Sequence, residues 1–192
     1  MRRLALLLIS ALTLAACATT SLEEAPEPIG DFELGFLVPV ASPNLTKGPV
    51  SRDATGEEWV AAMEAAFRPR LERYDGGKFY HLGVIVEGYV LAQPGIPVVL
   101  SPKSALIFSV TVIDDATEET LTPEPEQFTV LEDIGAASII GSGLVNSKED
   151  QLAALSENAA DRVERWLRAQ PWFYEGEVPD AAIAALEEPE VQ

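Results

Sequence analysis

The sequence predicts a single α+β domain, in which a mostly antiparallel sheet of about four strands carries two long amphipathic helices. Several segments alternate apolar and polar residues as strands do, and two longer segments place an apolar residue every three or four positions as helices do. The chain has 192 residues, which is ample for one hydrophobic core and short for two.

The first predicted strand lies near the amino terminus and contains a proline. Pro39 cannot donate a hydrogen bond to a neighbouring strand, which predicts an edge strand. Residues 41–54 are rich in Pro, Asn, Gly and Ser and are predicted to form a loop. The alternating apolar residues of the strand are Phe32, Leu34, Phe36, Val38 and Val40.

The first predicted helix begins at Thr55, which has capping-box spacing to Glu58, and ends at Gly76-Gly77. Pro69 lies inside the pattern and is expected to kink the helix. Arg68, Arg70 and Arg73 lie near its carboxyl end; they suit either an anion site or the helix dipole, and the dipole is the simpler account. The apolar stripe of this helix is Trp59, Met63, Phe67, Leu71 and Tyr74.

Two long strands are predicted at 79–91 and 104–114. Both carry apolar residues on both faces, which predicts central strands covered on two sides. Shorter strands are predicted at 98–100, 119–121 and 128–131. Asp114 and Asp115, between the second long strand and the next segment, suit either a divalent cation or a turn, and the turn is the commoner role.

A glycine-rich stretch, residues 135–143, precedes the last long helix. It lacks the lysine and hydroxyl of a phosphate-binding loop, which argues against phosphate binding. Ser147 and Asp150 form a second capping box, and Pro171 ends the helix. The aromatic residues 172–174 suit either partner binding or sealing of the core edge, and sealing is favoured. The helical stripe is Leu152, Leu155, Ala159, Val163, Trp166 and Leu167.

The amino terminus has the features of an export signal. Arg2 and Arg3 precede an apolar run, residues 4–16, that is too short to span a bilayer, which needs about 20 apolar residues. The run ends in Leu14-Ala15-Ala16-Cys17, which resembles the lipobox of bacterial lipoproteins. The chain also resembles, in its order of elements, uncharacterised envelope lipoproteins of alphaproteobacteria.

The resemblance implies a modified Cys17, the one site residue that the sequence predicts. In that family the cysteine thiol receives a diacylglyceryl group, the signal is cut before it, and the new amino group is acylated. Ala18, in place of an aspartate, implies transfer to the outer membrane. The expected organisation is a signal peptide at 1–16, a lipidated flexible tether at 17–31, a periplasmic domain at 32–175 and an acidic tail at 176–192.

Composition restricts the possible partners and cofactors. The net charge of −18 argues against nucleic acid and against adsorption to anionic lipid. Cys17 is the only cysteine, so no disulfide can form within the chain. No cofactor or metal site is predicted.

The predicted function is a non-enzymatic binding or assembly component of the cell envelope, anchored in the membrane and bound to another envelope protein. A small periplasmic hydrolase is the alternative; a catalytic triad would have to use His81, the only histidine, with an acid such as Asp114 and a serine. A glycosidase using two carboxylates, and a scaffold that binds peptidoglycan or lipid, also stay open.

Overall fold

A computed structural model describes residue 22 and residues 25–93, 104–132 and 147–187 of the chain. The described part is an α+β fold with one four-stranded sheet and three helices. In chain order the elements are β1 (Glu33–Lys47), α1 (Gly56–Leu71), β2 (Phe79–Val90), β3 (Ala105–Asp114), β4 (Glu126–Leu131), α2 (Lys148–Arg168), a 3₁₀ turn (Pro171–Phe173) and α3 (Asp180–Glu187).

The sheet is mixed, so the prediction of a mostly antiparallel sheet is wrong. Its strand order is β1-β2-β3-β4; β1 pairs with β2 in parallel, and the other two pairs are antiparallel. A parallel pair needs a crossover connection, and α1 provides it. β1 lies at the edge of the sheet, as Pro39 predicts. It also extends through residues 41–47, which were predicted as a loop.

The prediction of two long helices also needs correction, because the three helices contain 16, 21 and 8 residues. Both predicted capping boxes are present, at Thr55–Glu58 and at Ser147–Asp150. Pro69 lies within α1. The segment predicted as a strand at 119–121 forms only an isolated bridge between Thr120 and Ile113.

The core lies between one face of the sheet and the helices α1 and α2. The inward residues of β2 and β3 alternate and are fully buried, and the predicted stripes of both helices pack against them. The aromatic segment at 172–174 seals the core edge, since Phe173 is buried and Trp172 and Tyr174 pack against the core. The predicted strand at 98–100 and the glycine-rich stretch at 135–143 lie outside the described residues.

The segment before β1 is held against the end of α2. Ile29 is fully buried, and the Asp31 N–H donates to the Phe173 carbonyl over 2.7 Å. Gly30 has a φ of +74°, and a side chain there would overlap with the Phe173 carbonyl. The carboxylate of Glu27 pairs with the buried guanidinium of Arg168. We call residues 27–31 the clamp segment.

Candidate functional site

The sheet face opposite the helices, here called the outer face, exposes large apolar side chains. Successive side chains of a strand point to opposite faces, so the residues between the buried ones point away from the helices. No helix among the described residues covers this face. Among those residues, β2 and β3 are therefore covered by helices on one side only, and not on two sides as predicted. Six large apolar side chains of the outer face are 38–69% exposed: Phe36, Val38, Val40, Phe79, Ile107 and Leu131.

These six side chains come from all four strands. Val38 and Val40 pair with Gly83 and Ile85, which are at outward positions of β2. Across β2 the pairing continues to Ser109 and Thr111 of β3. Of the large apolar side chains that the described residues expose, only Leu22, Val50 and Ile183 lie elsewhere. The apolar surface is therefore concentrated on one side of the fold.

At one end of the outer face, His81 connects β1 to the turn after β3. The backbone N–H of Phe36 donates to His81 Nδ1 over 3.0 Å, and His81 Nε2 lies 2.9 Å from the carboxylate of Asp115. The Phe36 and His81 rings are 4.9 Å apart. Because Nδ1 accepts a hydrogen bond, the proton of the neutral ring lies on Nε2 and is donated to Asp115.

This arrangement differs from the triad that a hydrolase would need. The acid beside His81 is Asp115 and not Asp114, and the group at its other nitrogen is a backbone amide and not a serine. Asp114 instead accepts hydrogen bonds from the N–H groups of Ala116 and Thr117, each over 2.9 Å. The turn role of Asp114 is therefore confirmed.

The other end of the outer face carries Glu87, which lies at a register shift in β2. Its carboxylate accepts hydrogen bonds from the Ser109 hydroxyl and, over 2.6 Å, from the Gln127 amide. Beside it is an open groove of about 400 Å³, lined by Thr46, Gly48, Glu87, Gly88, Tyr89, Val90, Ala105, Ile107 and Gln127. The groove continues the outer face and is mainly apolar.

A buried ion-pair cluster joins α1 to α2. Glu164, which is 0% exposed, lies 2.6 Å from both Arg70 and Arg73, and Arg70 also contacts Asp161 at 3.1 Å. The Tyr74 hydroxyl donates to the same carboxylate. Arg68 pairs instead with exposed acids of its own helix. Two of the three arginines therefore bind an anion within the chain, in addition to lying near the helix end.

The cluster changes the protonation of its members. Burial disfavours the charged form of Glu164, but hydrogen bonds from Tyr74, Arg70 and Arg73 outweigh it and lower the pKa of the Glu164 carboxyl. Burial, followed by the hydrogen bond to Glu164, raises the pKa of Tyr74. The cluster thus holds one carboxylate ionised inside the protein.

The predicted site residue Cys17 lies outside the described residues, as does the whole signal segment. Within the described residues, no helix is long and apolar enough to cross a membrane, and no three acidic, histidine or cysteine side chains are grouped to hold a metal. The outer face and the buried Glu164 were both missed by sequence reasoning. Their signals were the outward apolar residues of β1 and an acid flanked by apolar helix positions.

Comparison with known proteins identifies no family for this chain. No family model and no curated protein matches it. A solved Xanthomonas campestris protein of the family DUF330 is similar over 70% of this chain and 82% of its own, with 12% identity and a TM-score of 0.41. PelC from Paraburkholderia phytofirmans, solved as a dodecamer, is similar over 72% of this chain and 93% of its own, with 10% identity and a TM-score of 0.34.

A minor lipoprotein of Acinetobacter baumannii is also similar, over 64% of this chain and 90% of its own, with 16% identity and a TM-score of 0.29. Identities and TM-scores this low do not transfer a fold family or a function to this chain.

Proposed function

We propose that this chain is a lipid-anchored protein of the cell envelope that acts by binding another protein through its outer face. The anchor is Cys17, and the expected location is the inner leaflet of the outer membrane, with the domain in the periplasm. The lipobox at residues 14–17 supports the anchor. The exposed apolar side chains of the outer face support the binding role.

The observation that carries the binding role is the concentration of apolar surface on one face of an acidic protein. The chain has a net charge of −18, yet six of the nine large apolar side chains that the described residues expose lie on one face of the sheet. Contiguous exposed apolar surface marks interaction sites, whereas isolated apolar residues do not. Aromatic side chains such as Phe36 and Phe79 are also enriched in protein interfaces.

A carboxylate in the outer face is expected to abolish binding. Val38 is 52% exposed in the wild type, so Val38→Glu leaves the free domain folded but buries an unpaired charge when a partner covers the face. That burial costs several kcal/mol, and each ~1.4 kcal/mol is tenfold in affinity. We expect at least a tenfold loss of crosslinked adducts of this protein in intact cells, measured by immunoblot.

Ile183→Glu is the matched control, because Ile183 is similarly exposed but lies on α3, away from the sheet. It should keep the adducts of the wild type. Equal loss in both variants, or equal retention, would remove the outer face from the proposal.

The anchor is tested at Cys17 itself. Mass spectrometry of the membrane fraction should find the amino-terminal peptide beginning at Cys17, with a thioether-linked diacylglycerol and an amide-linked acyl chain. One acyl chain gives only reversible binding, so several are needed for stable attachment. Cys17→Ser should leave an uncut precursor without lipid, and Ala18→Asp should move the mature protein to the inner membrane. An unmodified Cys17 at a mature amino terminus would refute the anchor.

A further inference from the structure

We infer that the occupant of the outer face is a second copy of this chain, packed sheet against sheet about a two-fold axis. This inference rests on the proposed function, because it names the partner of the same face. It is carried by the charge, the size and the edges of the sheet.

The outer face is nearly free of charge where it would meet a partner. His81 and Asp115 lie at one end and Glu87 at the other. The Glu87 carboxylate reaches over Ser109 and Gln127, where hydrogen bonds from both side chains occupy its two oxygens. The other outward positions of the four strands are uncharged: Val38, Val40, Gly83, Ile85, Thr111 and Thr129. Two molecules of net charge −18 repel each other, and this face lets them meet without bringing acids into contact.

The low charge of the outer face also argues against a partner that binds through complementary charges. A strongly charged partner would need a complementary patch, and the centre of the outer face provides none. The partner surface must be weakly charged and must carry apolar and neutral polar side chains, as the outer face does. Among the described residues, this chain presents such a surface on the outer face itself, and an interface on a two-fold axis uses the same patch on both copies.

The face is large enough for a specific dimer. Strands spaced ~4.8 Å apart, rising ~3.3 Å per residue over about ten residues, present about 600 Å² on one copy. A face-to-face pair would therefore bury about 1,200 Å² in total, the lower end of stable specific interfaces. Attachment of both copies to one membrane would add to this by raising their local concentration.

The sheet edges are less suited to association than the face. β1 contains Pro39 and has two register irregularities, between Leu34 and Leu37 and between Ala41 and Thr46. β4 has only six residues and begins at the exposed Glu126. Proline, irregular pairing, shortness and charge are the usual features that prevent strand addition at an edge. Pairing through the outer face is therefore favoured over a continuous intermolecular sheet.

The test places one thiol on the outer face of the full chain in cells. Thr111 is an outward residue near the centre of β3, and Thr111→Cys supplies a maleimide-reactive group. Two versions of this variant with different epitope tags are expressed together, and a bismaleimide spanning the ~10 Å between packed sheets is added. The unsubstituted chain shows whether Cys17 reacts, and Glu157→Cys, exposed on α2, is the control for random contact.

The expected product has twice the mass of the chain, carries both tags and forms only with Thr111→Cys. Adding Val38→Glu should remove it, whereas adding Ile183→Glu should not. A product that joins one tagged chain to a protein of different mass would overturn the second copy as occupant and leave the proposed function standing. Absence of any product specific to Thr111→Cys would overturn the second copy as occupant, whereas the proposed function is decided separately by the loss of adducts in Val38→Glu.

Discussion

Glu164→Gln is expected to destabilise the domain by about 3–5 kcal/mol, because it removes the buried carboxylate that balances Arg70 and Arg73 and leaves Asp161 to balance Arg70. The wild-type carboxylate contacts Arg70, Arg73 and Tyr74 at once, and it links α1 to α2. A glutamine of the same shape can accept fewer hydrogen bonds and carries no charge. Urea unfolding at neutral pH, followed by far-UV circular dichroism, measures the change in the free energy of unfolding.

Glu64→Gln is the matched control, since Glu64 also pairs with an arginine, Arg68, but both side chains are more than 40% exposed. Exposed pairs contribute about 0–1 kcal/mol, so this variant should unfold close to the wild type. Similar midpoints for Glu164→Gln and the wild type would show that the cluster does not stabilise the fold.

The stabilisation from Glu164 should also depend on pH. Its pKa is lowered in the folded protein, so the unfolded state takes up a proton first as the pH falls. The contribution is present above the ordinary Glu pKa of about 4.3 and is lost as the pH falls through the folded value. The difference in unfolding free energy between wild type and Glu164→Gln should therefore shrink below about pH 4.3.

Val110→Asp is expected to prevent stable folding. Val110 lies in the middle of β3 and is fully buried in the core, where it pairs with the equally buried Val84. An unpaired carboxylate there costs several kcal/mol, against a total stability of about 5–15 kcal/mol for an ordinary domain. The measurement is the yield of protease-resistant protein and its thermal unfolding.

Thr111→Asp provides the control on the same strand, one residue further along. Its side chain points to the outer face and is partly exposed, so the carboxylate stays in water and the variant should remain folded. If Val110→Asp and Thr111→Asp unfolded at the same temperature, the assignment of β3 side chains to the inner and outer faces would be incorrect.

Much of the fold could be predicted because its signals are local. The helix starts depend on Thr55 and Ser147, whose side chains bond amides three residues away, and the strands depend on alternation within each segment. The direction of β1 is a long-range property, and it was predicted incorrectly. The order strand, helix, strand at the start of the chain was the available signal, since α1 is long enough to cross over and return β2 parallel to β1.

The outer face and the Glu164 cluster illustrate what sequence alone does not determine. Ile107 and Phe108 are both apolar residues of β3, and only the packing of the helices makes one exposed and the other buried. Glu164 lies among the buried helix residues Ala160, Val163 and Leu167. An acid at such a position predicts a buried partner, but Arg70 and Arg73 are more than 90 residues away in the sequence.

The clamp segment has a mechanical consequence for a chain anchored at Cys17. Only the ten residues 17–26 could then connect the lipid to the clamp segment, and fully extended they reach at most about 36 Å. The domain would be attached through the clamp segment at the carboxyl end of α2, within a few nanometres of the lipid surface. Tension on this connection would meet the Glu27–Arg168 ion pair and the Asp31–Phe173 hydrogen bond before it reached the first strand of the sheet.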